Sequence, residues 1–299
     1  MDSINLLIQF PEVSLQLLFD GILIGALFAL AAYGLALVWG VMNIINIVQG
    51  EYVVLGGYVA ILTVQAGLTP LLGIPAAALV LYVMGYGLYK LIIFRIIDRD
   101  LFISLLATFG LSMLFQQLMN EVFGADVRIL ESDLGTWYLF GNMITVAQIK
   151  VLAFFLVLVI AALLVVFMRR SRMGQAIRAT AQDARAARIL GVNVDHVYAT
   201  TYAINAAVCG AAGALVVMSL TIHPYQGIVY TVRSFTIVII AGLGNIAGVI
   251  GAAFGLGAAE QFAGFILGAE YQIAFVFVLL VVILVSRSLL LRRQRKTLK

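Results

Sequence analysis

Apolar residues along this chain come in long blocks, not in alternation. Nine blocks stand out, at roughly 14–40, 52–66, 75–94, 101–122, 149–168, 198–222, 234–243, 247–267 and 271–290. Most reach about 18 residues or more, the length that crosses a hydrocarbon core about 30 Å thick. The second block is short, and the seventh is too short to cross as a regular helix. Each break has a physical cause. Asn43, Asn46, Gln49, Gly50 and Glu51 part the first two blocks, and Gly67, Pro70 and Gly73 part the next pair. Arg95, Asp98, Arg99 and Asp100 precede the fourth. A transmembrane barrel shows period-two alternation in segments of about ten residues, and none is found. The pattern predicts an all-α fold, a polytopic transmembrane helix bundle of about eight or nine hydrophobic segments, forming one domain over 1–299.

Composition sharpens this. The chain is 64% hydrophobic and 11% charged, against about 25% charged in a soluble domain. The net charge of +4 is therefore a matter of placement about a membrane, and no nucleic-acid partner is expected. One cysteine, Cys209, and two histidines, His196 and His223, exclude a disulfide framework and a Cys/His zinc site. No metal or cofactor is expected. The first basic residue is Lys90, so the positive n-region of a cleavable signal peptide is missing. A phosphate-binding P-loop needs Lys directly after Gly. The lysines follow Tyr89, Ile149, Arg295 and Leu298, so any ATP hydrolysis belongs to another polypeptide. No set of acid, base and nucleophile stands out, and no catalytic residue is expected.

Orientation follows from Lys and Arg in the short loops. Of 18 basic residues, all but Arg128, Lys150 and Arg233 fall on one side, in a loop near 90–99, a central stretch at 169–188 and the tail from Arg287. Loop 123–146 carries Asp126, Glu131 and Asp133 and the interfacial pair Trp137 and Tyr138, so it is expected outside. The N-terminus is then outside and the C-terminus cytoplasmic, which requires an odd number of crossings. Nine fits.

The stretch 169–196 breaks the apolar pattern with six arginines. Arg169, Arg170 and Arg172 suit a helix end at the membrane surface. Thr180-Ala-Gln-Asp183 fits a helix start and Gly191 a helix stop, which predicts one helix of about ten residues. Ile177, Ala181, Ala184, Ala187 and Leu190 share one face, while Arg178, Gln182 and Arg185 run along another. A helix this short is marginal alone in water. It is either a simple positive-inside loop or a docking element for a cytoplasmic subunit, its arginines reaching partner carboxylates.

Polar groups recur within the apolar blocks as well. Asn43, Asn46 and Gln49 provide hydrogen-bonding groups at a helix break, tolerable at membrane depth only inside protein or beside water. Glu51 falls in the first turn of the next helix, favoured by its dipole. Glu260 lies inside the eighth block and Arg233 just before the seventh. Such groups face a cavity or a partner, and the two are expected to approach each other or to line a path. Capping and interfacial pairing remain open alternatives. Gly244, Gly248, Gly251 and Gly255 form a stripe suited to close helix packing, after an N-cap at Asn245.

Several of these stretches resemble one family. The run Arg172, Gly174, Ala176, Arg178, Ala179, the pattern Arg185-Ala186-Ala187 with Gly191 four residues on, and the blocks at 25–58 and 241–261 are similar to permease subunits of branched-chain amino acid ABC importers of the LivH type. That family also includes urea and short-amide permeases. Gln49 and Arg185 stand where the patterns carry His and Glu. The match runs from about residue 15 to 285. The resemblance implies a multi-pass protein of the bacterial cell (inner) membrane that pairs with a second permease subunit around a path for a small-molecule substrate. Two cytoplasmic ATPase subunits are implied below, at Arg178, Ala179, Arg185, Ala186, Ala187, Leu190 and Gly191. An extracytoplasmic solute-binding protein is implied above, near 123–146. Asn43, Asn46, Gln49, Glu51 and Glu260 are then the candidate translocation path. The substrates implied are branched-chain or other hydrophobic amino acids, with urea or short amides as the alternative. An ion-coupled secondary transporter is less favoured, because only Glu260 offers a coupling acid and no inverted repeat is evident.

Overall fold

Each of the nine apolar blocks forms a helix. The structure, a computed structural model, describes residues 2–97, 100–130, 134–139, 144–242 and 246–297. A short α1 (Asp2–Gln9) leads into α2 (Pro11–Met42), α3 (Gln49–Gln65), α4 (Gly73–Leu91) and α5 (Leu101–Phe123). After α5 come the strands β1 (Thr136–Leu139) and β2 (Ile144–Ala147), then α6 (Gln148–Arg170), α7 (Arg172–Gln182) and α8 (Ala184–Ile189). The chain closes with α9 (Val194–Ser219), α10 (Gly227–Ala241), α11 (Ile246–Leu267) and α12 (Gln272–Thr297). Among the described residues 7 helices are long and apolar enough to cross a membrane. The exceptions in the bundle are α3, with 17 residues, and α10, with 15.

Those two short helices are where the chain turns back on itself. Gln49, the first residue of α3, donates to the carbonyl of Ala31, well inside α2. Ala31 lies eleven residues before the end of α2, about 17 Å along its axis. Residues 43–48 are not helical, and six extended residues reach about 20 Å. The chain therefore leaves α2 at its C-terminal end, returns as non-helical backbone to the level of Ala31, and starts α3 there. The same construction recurs in the opposite direction. Beyond α9 the chain runs through 220–226 back into the bundle and starts α10 against the start of α3, where a Cβ on Gly50 would collide with the carbonyl oxygen of Gly227.

Helices α2 and α9 are antiparallel. Ala31 and Gly34 sit beside Cys209 and Asn205, while Leu37 and Val41 pack near Val197. Each short helix begins at a Gln-Gly pair, Gln49-Gly50 and Gln226-Gly227. This twin, inverted build was not evident in the sequence, and it removes one expectation: inverted architecture does not argue against a secondary transporter. With the irregular chain that precedes them, α3 and α10 each complete a traverse. With the 7 long helices among the described residues they agree with the eight or nine hydrophobic segments expected.

Burial concentrates at the centre. The apolar windows of α2 and α9 are 83% and 89% buried, those of α4, α5 and α6 22% each, and that of α12 6%. Small residues allow close approach along the α2–α11 contact, where Cβ atoms on Gly21, Gly25 and Gly257 would strike the backbone of the facing helix. Two glycines of the expected stripe do not do this. Cβ atoms on Gly251 and Gly255 meet nothing within 4 Å. They line a groove of about 500 Å³ with Ile240, Leu279, Ile283 and Arg287. The packing register of α11 is thus displaced from the predicted stripe, because its Gly257 face is the one turned toward α2. Gly244 and Asn245 lie outside the described residues. The loop before α6 differs too, since Thr136–Leu139 pairs antiparallel with Ile144–Ala147 in a small hairpin on an otherwise all-α chain.

The contrast on α11 is testable by thermal unfolding in detergent. Gly257→Ala is expected to destabilise by about 1–3 kcal/mol through overpacking. Gly255→Ala, two residues away and facing open space, is expected to be neutral or to stabilise by up to about 1 kcal/mol through helix propensity.

Candidate functional site

Irregular backbone at membrane depth must find hydrogen-bond partners inside the protein. For residues 45–50 these come from two threonines. Thr108 on α5 accepts from the Ile47 N–H at 3.2 Å and approaches the Ile45 carbonyl at 3.0 Å. Thr231 on α10 accepts from the Gly50 N–H at 2.9 Å and donates to the Ile47 carbonyl at 3.0 Å. Asn43 ends α2 in the left-handed region, φ 51°, with its N–H on the Trp39 carbonyl.

On one side of the start of α3 lies a network shared with α2 and α9. Gln49 Nε2 donates to the Ala31 carbonyl and to Cys209 Sγ, both at 2.7 Å. Tyr52 donates to Tyr202 at 2.9 Å, and Tyr202 to Asn46 Oδ1 at 3.3 Å. On the other side sits Glu51, whose Oε1 accepts from Ser112 at 2.9 Å and from Gln116 at 3.1 Å. Its carboxylate packs directly on Gly227, the first residue of α10. Oε2 of Glu51, Oε1 of Gln49, and Nδ2 of both Asn46 and Asn205 are buried without a hydrogen-bond partner.

Of the expected path residues, the structure brings Asn46, Gln49 and Glu51 together in the core of the chain, where all three are buried. Asn43 is exposed at the end of α2, and its left-handed backbone makes it a helix terminator. Glu260 is elsewhere, paired with Arg233. Arg233 Nε lies 3.1 Å from each carboxylate oxygen, and its Nη2 also contacts Oε1. The guanidinium carbon stands 4.4 Å from the Phe28 ring centroid, a cation–π contact. The expected approach of the two residues is thus observed, in a closed ion pair between α10 and α11 beside α2.

Helix α5 matches the expected block at 101–122, but its polar residues were not among the expected site residues. Ser104, Thr108, Ser112, Gln116 and Asn120 recur every fourth residue and form one polar stripe along an otherwise apolar helix. The first three are buried, and Thr108, Ser112 and Gln116 contact the chain break and Glu51. The period of four was the available signal.

Between α6 and α9, the single helix expected to start at Thr180 is two helices. Ser171 Oγ accepts from the Gly174 N–H and starts α7 early, so Thr180 falls in its last turn and is buried. Asp183 is the cap in use, accepting from the Arg185 and Ala186 N–H groups at 2.8 and 3.0 Å and opening α8. Gly191 ends it as expected, with φ 88°. The predicted apolar face is split. Ile177 packs with Met168 and Val197 and Ala187 is buried, but Ala181 is exposed. What remains open is the tip, where Ile189 is 85% and Leu190 84% exposed. Arg178, Ala179, Arg185 and Ala186 are exposed beside it.

A chain of seven membrane-capable helices with two half-length helices meeting at mid-depth is a multi-pass helical membrane protein. Its family is shown by comparison. The chain belongs to the family described as branched-chain amino acid transport system / permease component, whose profile matches residues 17–284. The high-affinity branched-chain amino acid transport system permease protein LivH of Salmonella typhimurium is 30% identical over 287 residues, covering 90% of this chain and 92% of the relative. BraD of Pseudomonas aeruginosa, of the same description, is 27% identical over 93% of this chain and 95% of its own. A probable branched-chain amino acid transport permease protein LivH of Methanocaldococcus jannaschii is 25% identical over 87% and 84%.

The Arg233–Glu260 pair yields a stability test. Glu260→Gln leaves a buried guanidinium uncompensated and is expected to cost about 3–5 kcal/mol, read as a fall in thermal midpoint. Replacing both residues with Met is expected to cost less than the single change. A double variant less stable than Glu260→Gln would contradict this account.

Proposed function

We propose that this chain is a membrane-spanning permease subunit of an ATP-binding-cassette importer for branched-chain or other hydrophobic amino acids. Family membership over most of the chain supports the importer class, and relatives named for branched-chain amino acids support the substrate. A solute-binding protein delivers the substrate to the outer face, where the hairpin of β1 and β2 presents the exposed Trp137 and Tyr138. A second permease subunit completes the path, and the complex resides in the bacterial inner membrane.

The observation that carries the motor side is the tip of α8. Two large apolar side chains there stand almost fully in solvent, on a helix of only 6 residues. An apolar pair exposed side by side suits a partner that covers it, and a helix so short needs tertiary support. The tip adjoins Arg178 and Arg185, for which no ion pair occurs among the described residues. An ATPase subunit offering an apolar cleft rimmed by carboxylates fits it. Through α7, packed on the ends of α2, α6 and α9, movement of that subunit reaches the bundle.

The test is co-purification and uptake. Ile189→Asp with Leu190→Asp is expected to abolish association with the ATPase subunits and ATP-driven uptake. The thermal stability of the permease is expected to stay within about 0.5 kcal/mol, the usual range for surface changes. Normal uptake by that variant would overturn docking at this tip. Purified chain alone accumulating solute on an ion gradient would overturn the importer reading.

A further inference from the structure

Among the described residues, three charged side chains are buried in the bundle, Arg233, Glu260 and Glu51. Arg233 and Glu260 neutralise each other. Glu51 is 1% exposed and has no Lys, Arg or His within ion-pair reach among the described residues. Its two oxygens are treated differently. Oε1 is held by two neutral donors from α5, and Oε2 has no hydrogen-bond partner. A carboxylate built this way is oriented by neutral donors and helix starts but has no ionic partner, and ionisable groups at membrane depth are costly unless something neutralises them.

The element that holds Glu51 Oε1 is only loosely anchored by packing. Helix α5 has only 22% of its apolar window buried and turns Phe102, Leu106, Met113 and Val122 outward. Its inward face is the polar stripe. Ser112 is buried against Glu51, while Gln116 is half-buried at the edge of the contact. Both carboxylate oxygens also lie against Gly227 at the start of α10, so a ligand reaches Oε2 where α5 and the start of α10 part.

We propose that Glu51 receives the α-ammonium of the amino acid during its passage, with Ser112 and Gln116 positioning the carboxylate. This rests on the importer reading above and deepens it. An α-ammonium supplies the missing positive charge and three N–H donors, whereas urea and short amides carry no charge and leave Glu51 uncompensated. The site therefore selects zwitterions over neutral amides within one family of permeases.

The experiment uses the full complex, with its ATPase subunits, second permease and binding protein, in proteoliposomes supplied with radiolabelled leucine and ATP. A wild-type complex that imports no α-amino acid overturns the importer reading before any variant is compared. With an active wild type, Glu51→Gln and Glu51→Asp are ranked, assembly being followed by co-purification. A structural role favours Gln, which keeps the length of the side chain and its acceptor for Ser112 and Gln116. Ammonium recognition favours Asp, which keeps the charge. Expected is at least a tenfold loss of uptake for Glu51→Gln and a smaller loss for Glu51→Asp. Uptake by Glu51→Gln equal to wild type, or above Glu51→Asp, overturns the proposal. If both variants are inactive, Ser112→Asp is added to Glu51→Gln, returning a carboxylate to the same spot from the facing helix. Recovered uptake supports the proposal, and continued inactivity overturns it.

Discussion

Backbone amides and carbonyls have no water to turn to inside a bilayer, and this bundle is arranged around that fact. Two stretches of the chain, 43–48 and 220–226, enter the bundle outside any α-helix, the second with a single 3-10 turn at Pro224–Gln226. For the first, the hydroxyls of Thr108 and Thr231 take over. For the second, the Ile222 backbone exchanges both of its hydrogen bonds with Arg128 at 2.8–2.9 Å. Remove those partners and each free group costs energy on the scale of a lost hydrogen bond or more. The polar side chains at mid-depth are thus explained first as the condition for the fold-back, and only then as candidates for function.

Charge follows the same economy. Most basic residues gather in three stretches of the sequence, and the three that do not each find a local partner. Lys150 pairs with Asp20 at 2.8 Å, Arg128 donates to the Phe123 carbonyl at 2.6 Å, and Arg233 holds Glu260. Among the described buried acids Glu51 alone lacks such a partner. That asymmetry separates a pair that holds α10 to α11 from a group left free to respond to something outside the chain.

Much of this was legible in the sequence. Apolar runs located the nine helices, because a membrane span must be long and nearly free of charge. Glu51 was placed in the first turn of α3 and Gly191 at the stop of α8, since both positions follow from local chemistry. What was not legible depends on which face a helix turns inward. The α11 glycines at 251 and 255 have the spacing of a packing stripe, yet Gly257 makes the contact. Thr180 has the sequence of a cap, but Ser171 opened the helix nine residues earlier and left Asp183 to start the next. The inverted pairing of α2–α3 with α9–α10 leaves little trace beyond two Gln-Gly pairs, because backbone path, not residue identity, carries the symmetry. The polar stripe on α5 was readable by its period, but its purpose depends on residues 45–51, brought there only by the fold.

The fold-back also has a cost in time. The Gly50 N–H bonds to Thr231, 181 residues further along the chain. At a synthesis rate of about 5–20 residues per second, that partner emerges roughly ten to forty seconds later. Until then the start of α3 lacks its lid and its acceptor, so the first half of the protein waits beside the insertion machinery or a chaperone, half-assembled, for the second.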